Sequence, residues 1–201
     1  YGGLNHIIFS KNGEISVRPL TLSIGRMEEL NSHLMLFYTG IKRTASDVAK
    51  SYVEDFDNKR KLLQRIGKMV DEGISILQGN ASICKFGELL HETWVLKKSL
   101  SSKVSNKSVD DLYSRARKAG AIGGKITGAG GGGFLLLFVS PSKQDNVREA
   151  LGEQILVPFR FEFNGSQIIF YEPEREDYSA LEIDRSKRFI RAFEELDPIK
   201  E

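Results

Sequence analysis

Apolar and polar positions divide this chain into a strand-rich opening, a long helical middle and a return to strands. Leu4 to Ser10 and Glu14 to Pro19 alternate, and Asn12-Gly13 between them is a strong turn signal, which predicts a β-hairpin. His33 to Tyr38 then reads as an apolar strand that runs out through Thr39 at Gly40. Thr44 and Asp47 have capping-box spacing, predicting a helix start. From Asp47 to Gln78, Val48, Tyr52, Val53, Phe56, Leu62, Leu63, Ile66, Met69, Val70, Ile74 and Leu77 recur at helical spacing. The charged patch Asp57 to Lys61 interrupts them, marking either a break between two helices or one exposed turn. A second helical stripe runs through Ile83, Phe86, Leu90 and Trp94, and a third starts at Ser108, box-spaced to Asp111, and ends at Gly120. Phe134 to Val139 is fully apolar; behind Pro141 a helix is expected over Lys143 to Leu151, with Val147, Ala150 and Leu151 inward. Phe159, Phe161 and Phe163 alternate with Arg160 and Glu162, Asn164-Gly165 turns, and Ile168 to Tyr171 returns as a second hairpin. Helices, a hairpin around a glycine-rich stretch, a helix and a second hairpin make an α+β sandwich. Beyond Pro173 the chain is charged, and Leu181 to Leu196 carries a short amphipathic pattern.

Composition is that of an ordinary globular chain: 201 residues, 40% hydrophobic, 28% charged, formal net charge +2. One cysteine, Cys84, cannot form an internal disulfide and offers no metal cluster, which favours a reducing compartment. No apolar run approaches the ~18 residues of a membrane span and no basic-then-apolar leader opens the sequence, so it reads as cytoplasmic, without a membrane partner. Arg115, Arg117 and Lys118 form a solvated helix face, not a nucleic-acid footprint. His91 and Trp94 lie near one helical face and read as packing; His6 and His33 sit in strand-like segments without the partners of a triad or a metal site.

The chemistry concentrates in Gly120 to Gly133, which holds eight of the nineteen glycines. Glycine is needed where backbone takes φ > 0 or approaches a ligand closely, and successive N–H groups in such turns form an anion-binding concavity. The stretch therefore reads as a phosphate-approaching loop. Gly128-Ala129-Gly130-Gly131-Gly132-Gly133 satisfies G-x-G-x-x-G, but a strand-like run follows where the dinucleotide fingerprint needs a helix. Gly124-Lys125 and Gly67-Lys68 lack the hydroxyl residue of a Walker loop.

The string Lys125-Ile126-Thr127-Gly128-Ala129-Gly130-Gly131-Gly132-Gly133-Phe134 closely resembles the third motif of the GHMP kinases, a superfamily of small-molecule kinases. Tyr1-Gly2-Gly3, and Tyr38-Thr39-Gly40 followed by Arg43 and a hydroxyl residue, are similar to segments of its heptose-phosphate kinase-like members. The resemblance implies a ferredoxin-like C-terminal domain with extra helices over residues 41–173, preceded by strands of an N-terminal kinase domain over 1–40 and followed by a charged extension over 174–201. It also implies ATP-dependent phosphorylation of a sugar or sugar phosphate, at the anomeric hydroxyl of a heptose 7-phosphate. ATP comes with Mg²⁺, whose ligands, like the catalytic aspartate and the Ser-rich ATP loop, are expected upstream of Tyr1, so this chain alone is expected to be catalytically silent. Lys125, Thr127, Gly128, Ala129, Gly130, Gly131, Gly132 and Gly133 are then the phosphate-loop residues. Gly3, Thr39, Gly40 and Arg43 are the substrate-side residues, although Arg43 fits an ion pair with a neighbouring acid equally well. An oligomer is compatible with all of this. The rival readings are a non-catalytic ferredoxin-like regulatory module binding an anionic effector, a dinucleotide-fold dehydrogenase and a purely structural domain.

Overall fold

The computed structural model describes residues 1–41 and 56–169. Arg43, the Thr44–Asp47 cap and the helical pattern over 181–196 lie outside the described residues. The chain divides into two units, Tyr1–Gly165 and Ser166–Glu201, and every element below belongs to the first. Strands β1 (Asn5–Phe9) and β2 (Ile15–Pro19) pair antiparallel with Asn5 opposite Pro19 and Phe9 opposite Ile15. The Gly13 N–H donates to Ser10 O at 3.0 Å, and Gly13 takes φ 84°, so the Asn-Gly signal becomes a turn closed by a left-handed glycine.

Helix α1 (Ile24–His33) is an element that the apolar pattern leaves unassigned. Ser23 caps it, its hydroxyl accepting from the Arg26 N–H at 3.2 Å, and only Met27 and Leu30 are buried. His33 ends this helix, contrary to its strand reading, with Nδ1 2.8 Å from Glu29 O; strand β3 (Leu34–Tyr38) follows without a loop. Helix α2 (Phe56–Gln78) runs continuously through residues 57–61, so the charged patch is neither a break nor a turn.

Arg26 closes the far end of α2. Its Nε donates to Leu77 O at 3.2 Å, Nη2 to Ile76 O at 2.7 Å and Ala81 O at 2.8 Å, and Nη1 to Glu29 Oε2 at 2.7 Å. Carbonyls at a helix C-terminus have no intrahelical donor, so one guanidinium satisfies several of them at once. Arg26→Ala is expected to cost about 2 kcal/mol in urea unfolding. Arg26→Lys should recover less than half of that, since an ammonium cannot span all three carbonyls.

Helices α3 (Cys84–Lys98) and α4 (Lys107–Lys118) follow, then β4 (Ala121–Ile126), β5 (Phe134–Val139), a 3₁₀ turn (Pro141–Lys143), α5 (Gln144–Ala150) and β6 (Ile155–Val157). The N-cap of α4 is Asn106, whose side chain accepts from the Val109 N–H at 3.0 Å, two residues before the expected Ser108. The sheet order is β4-β5-β3-β6, all neighbours antiparallel. With helices between β3 and β4 and between β5 and β6, this is the ferredoxin-like β-α-β-β-α-β arrangement. A division at residue 40 does not follow this sheet, because β3 lies between β5 and β6.

Alternate residues of β3 and β5 feed two core clusters. Met35, Phe37, Leu135, Leu137 and Val139 join Trp94, Val109, Tyr113, Val147 and Leu151; Phe138 and Leu34 join Leu30, Leu77 and Ile83. Helix α3 contributes to both clusters and crosses edge strand β4 where Gly87 meets Gly123. The second hairpin expected over Phe159–Tyr171 does not form among the described residues, since 158–169 contain no strand. Pro158, with no N–H to donate, ends β6. Beyond it only Phe161 of the alternating phenylalanines packs on a core cluster, while Phe163 is 62% and Ile168 82% exposed. The Asn164-Gly165 turn is instead closed by the Glu162 carboxylate, which accepts both N–H groups at 2.6 and 2.8 Å.

Candidate functional site

Strands β4 and β5 narrow the glycine-rich stretch to a loop of seven residues, Thr127–Gly133, because Ala121–Ile126 is strand. Thr127 closes its base: both its N–H and its hydroxyl donate to Phe134 O, at 2.9 and 3.3 Å. Gly128, Gly130, Gly131 and Gly133 take φ of 70°, 117°, 79° and 86°, the region that L side chains avoid. A Cβ at Gly130 would stand 2.7 Å from Val104 O, and one at Gly132 would overlap Ile41 O.

Two neighbouring segments hold this loop. From the end of β3, Thr39 donates through its N–H and its hydroxyl to Gly133 O, each at 2.8 Å, and the Gly133 N–H donates to Ile41 O at 2.9 Å. Gly40, at φ 72°, turns the chain between these two anchors. From the connection between α3 and α4, Val104 O accepts the Gly131 N–H at 2.7 Å, and the Asn106 side-chain amide donates to Gly131 O at 2.8 Å. Val104, within this connection, is fully buried.

These anchors sort the loop N–H groups. Gly131 and Gly133 donate inward, to Val104 O and Ile41 O. The N–H groups of Gly128, Gly130 and Gly132 have no partner among the described residues. Two of the substrate-side residues, Thr39 and Gly40, stand directly against the loop. Gly3 is engaged elsewhere: its N–H donates to Glu162 O and it packs on the Phe163 ring.

Lys97, in the last turn of α3, is a residue that the apolar stripes did not single out. Its Nζ donates to Gly128 O at 2.6 Å. The adjacent Lys98 diverges, pairing with Asp110 at 2.9 Å and lying over the Trp94 ring at 5.9 Å. Burial pushes the Lys125 ammonium below its ordinary value; burial and then repulsion from Lys125 push Lys97 down to about 8. Lys97 is thus charged below about pH 8 and neutral above it, and following its side-chain shifts by NMR should place the midpoint there. Because the folded value lies below the ordinary 10.5, the unfolded chain holds the extra proton between the two, and stability should rise with pH across that window.

His91 and Trp94 are packing residues. His91 Nδ1 lies 2.7 Å from the Tyr113 hydroxyl, with the rings stacked at 5.9 Å, and Trp94 is fully buried. Burial lowers His91, with Arg117 and Lys98 adding to it, and raises Tyr113 to about 12, so both are neutral near pH 7. Among the described residues no group of three or more His, Cys, Asp and Glu could hold a metal, and no helix is long and apolar enough to cross a membrane. The loop and its lysines present donors and cations, chemistry suited to phosphate oxygens and unsuited to Mg²⁺.

A strand, β5, follows the glycine loop, so the loop does not belong to a dinucleotide fold, which would open a helix there. The sheet is ferredoxin-like, and its β4–β5 hairpin carries an anchored glycine loop. Residues 81–155 match the family model described as GHMP kinases C terminal, so the sheet and its glycine loop are those of a GHMP kinase C-terminal domain. It is 30% identical over 156 residues to the D-glycero-alpha-D-manno-heptose 7-phosphate kinase of Campylobacter jejuni, covering 77% of this chain and 46% of that protein. It is 35% identical over 126 residues to the mevalonate kinase of Pyrococcus horikoshii, covering 59% and 37% of the two. The fold is shared with the mevalonate kinase of L. major in complex with R-mevalonate, at TM-score 0.61 and 20% identity over 76% of this chain and 45% of that one. The chain thus spans less than half the length of these relatives.

Proposed function

We propose that this chain is the C-terminal part of an ATP-dependent kinase acting on a sugar or sugar phosphate, with the anomeric hydroxyl of a heptose 7-phosphate as acceptor. The observation that carries this reading is the glycine loop, anchored by Thr39, Ile41, Val104 and Asn106 yet with the N–H groups of Gly128, Gly130 and Gly132 without a partner among the described residues. The similarity to the C. jejuni heptose 7-phosphate kinase, which extends over 77% of the chain, supports the choice of acceptor. On this reading the hydroxyl oxygen attacks the γ-phosphorus, the bond to the ADP oxygen breaks, and the hydroxyl proton passes to an aspartate upstream of Tyr1. The Mg²⁺ that accompanies ATP is held by residues other than those described here. This chain's residues supply positioning and charge stabilisation, the two contributions that dominate phosphoryl transfer. The free loop N–H groups and Lys125 face phosphate charge, Thr127 and Thr39 hold the loop, and Thr39, Gly40 and Arg43 border the acceptor. On this reading the segment before β3 completes an N-terminal kinase domain, and the sheet from β3 to β6 with its helices forms the C-terminal domain.

The test is a panel of acceptors offered with Mg-ATP to the chain joined to its upstream half: heptose 7-phosphate, fucose, galactose and mevalonate. Turnover with heptose 7-phosphate at least 100-fold above the others is expected. Preference for mevalonate or a free sugar would keep the kinase class and overturn the acceptor. Nucleotide binding without turnover on any acceptor would overturn the kinase reading in favour of an effector-binding module.

A further inference from the structure

We propose that Glu162 is a positioning residue: its carboxylate closes the Asn164–Gly165 turn, and the closed turn clasps Gly2 and Gly3, joining the N-terminal hairpin to the segment that leaves β6. The inference rests on the kinase reading for its setting, in which this joint lies between the segment that follows the upstream aspartate and the sheet that carries the glycine loop.

The clasp is built from both sides. Glu162 Oε1 accepts the Asn164 N–H at 2.6 Å and Oε2 accepts the Gly165 N–H at 2.8 Å, so one carboxylate fixes the turn. These bonds, Asn164 first, hold the Glu162 carboxyl below its ordinary value and keep it an ionised acceptor. The Glu162 carbonyl oxygen accepts the Gly3 N–H. On the other side Asn5, at the start of β1, donates through Nδ2 to Gly2 O at 2.9 Å and to Gly3 O at 3.3 Å.

The two segments approach more closely than any side chain allows. A Cβ at Gly2 would overlap the Gly165 nitrogen and stand 2.6 Å from Phe163 O, and one at Gly165 would stand 2.8 Å from the Gly2 nitrogen. At Gly3 it would stand 2.8 Å from the Phe163 ring. Backbone is packed on backbone here, so a shift of one segment moves the other. Among the described residues β1 and β2 pair with each other and lie outside the four-stranded sheet, so their placement depends on links of this kind. Leu4, packed on the second core cluster, is another. Anchoring of residues 158–165 and positioning across the joint differ in what they move. Loss of an anchor exposes amides; loss of a positioning contact also lowers kcat, because a misplacement of about 1 Å costs ~10²-fold.

The experiment has two arms, run on the parent, Glu162→Gln, Glu162→Asp, Gly2→Ala and the control Glu149→Gln. In the first, amide hydrogen exchange of Gly3, Asn164 and Gly165 is followed by NMR in the full chain. In the second, kcat and KM are measured with Mg-ATP and the preferred acceptor in the chain joined to its upstream half. Glu162→Gln keeps one acceptor oxygen and turns a donor toward the other N–H. All three amides should then exchange about tenfold faster, and kcat should fall about tenfold with KM for ATP within about twofold. Glu162→Asp still offers two oxygens to the turn and should recover most of the parental kcat. Gly2→Ala forces the segments apart without touching the carboxylate and should lower kcat as Glu162→Gln does, while Glu149→Gln should match the parent. Unchanged exchange at Gly3 in Glu162→Gln would overturn the clasp. Faster exchange with parental kcat would leave an anchor only, overturning the positioning role and keeping the kinase. Absence of turnover by the parent on every acceptor would remove the kinase reading and the positioning role with it.

Discussion

Gly123→Ala is expected to unfold this chain at 37 °C, with a loss of about 3 kcal/mol or more. Gly123 lies in edge strand β4 with an ordinary, non-left-handed backbone, so the cost is not conformational. It is steric. A methyl there would overlap the Gly87 carbonyl oxygen of α3, stand 2.8 Å from its carbon and 3.0 Å from the His91 nitrogen. Ordinary contact between such atoms is about 3.5 Å, and no rotamer moves a Cβ, so the helix must retreat from the strand. Gly87 is fixed in turn: a Cβ there would meet the Phe138 ring at 2.5 Å and the Ile122 methyl at 2.9 Å. Retreat of α3 would open both core clusters, since its residues feed each of them. Gly73→Ala, inside α2, is the contrasting case. Its Cβ would meet Leu89 and Phe86 at 3.4 and 3.5 Å, ordinary packing, and stability should hold or rise by up to ~1 kcal/mol. Urea unfolding of the two variants beside the parent checks both expectations.

Gly130→Val is expected to lower sugar-dependent turnover of the intact kinase by at least ~100-fold, with a much smaller effect on the melting of the fold. Gly130 takes φ 117°, which a β-branched residue does not adopt, and its Cβ would stand 2.7 Å from Val104 O. That oxygen is the acceptor for the Gly131 N–H, so relieving the clash pulls out one of the loop's anchors. The loop would then present its remaining N–H groups at the wrong place. Gly13→Ala tests whether any left-handed glycine would do the same. It sits at φ 84° in the β1–β2 turn with nothing within 4 Å, so it should cost about 1 kcal/mol of stability and leave turnover unchanged. Turnover at parental rates in Gly130→Val would remove the loop from the chemistry.

Features carried by local backbone rules were legible in the sequence. The Asn12-Gly13 turn, the α2, α3 and α4 stripes, strand β5 and the need for left-handed glycines after Thr127 all follow from short-range patterns. What was not legible depends on contacts between distant positions. Gly123 looked like part of a phosphate loop because nothing in sequence says that Gly87 will lie against it. Lys97 looked like the polar face of a helix because its meaning comes from Gly128, thirty-one residues away. Helix α1 escaped because only Met27 and Leu30 are buried on it, too few to make a stripe, although Ser23 stood at the cap position. The second hairpin failed for a reason that was present in the sequence: Pro158 stands before the alternating phenylalanines and ends the strand they would have continued.

The central claim, that the glycine loop faces transferred phosphate, is tested most directly by backbone amide NMR of Gly128 to Gly133 in the active kinase as Mg-ADP and acceptor are added. The account predicts large shifts for the N–H groups of Gly128, Gly130 and Gly132, which have no partner among the described residues, and little change for Gly131 and Gly133, which stay bonded to Val104 and Ile41. Unmoved amides throughout the loop, in an enzyme that turns over, would contradict it.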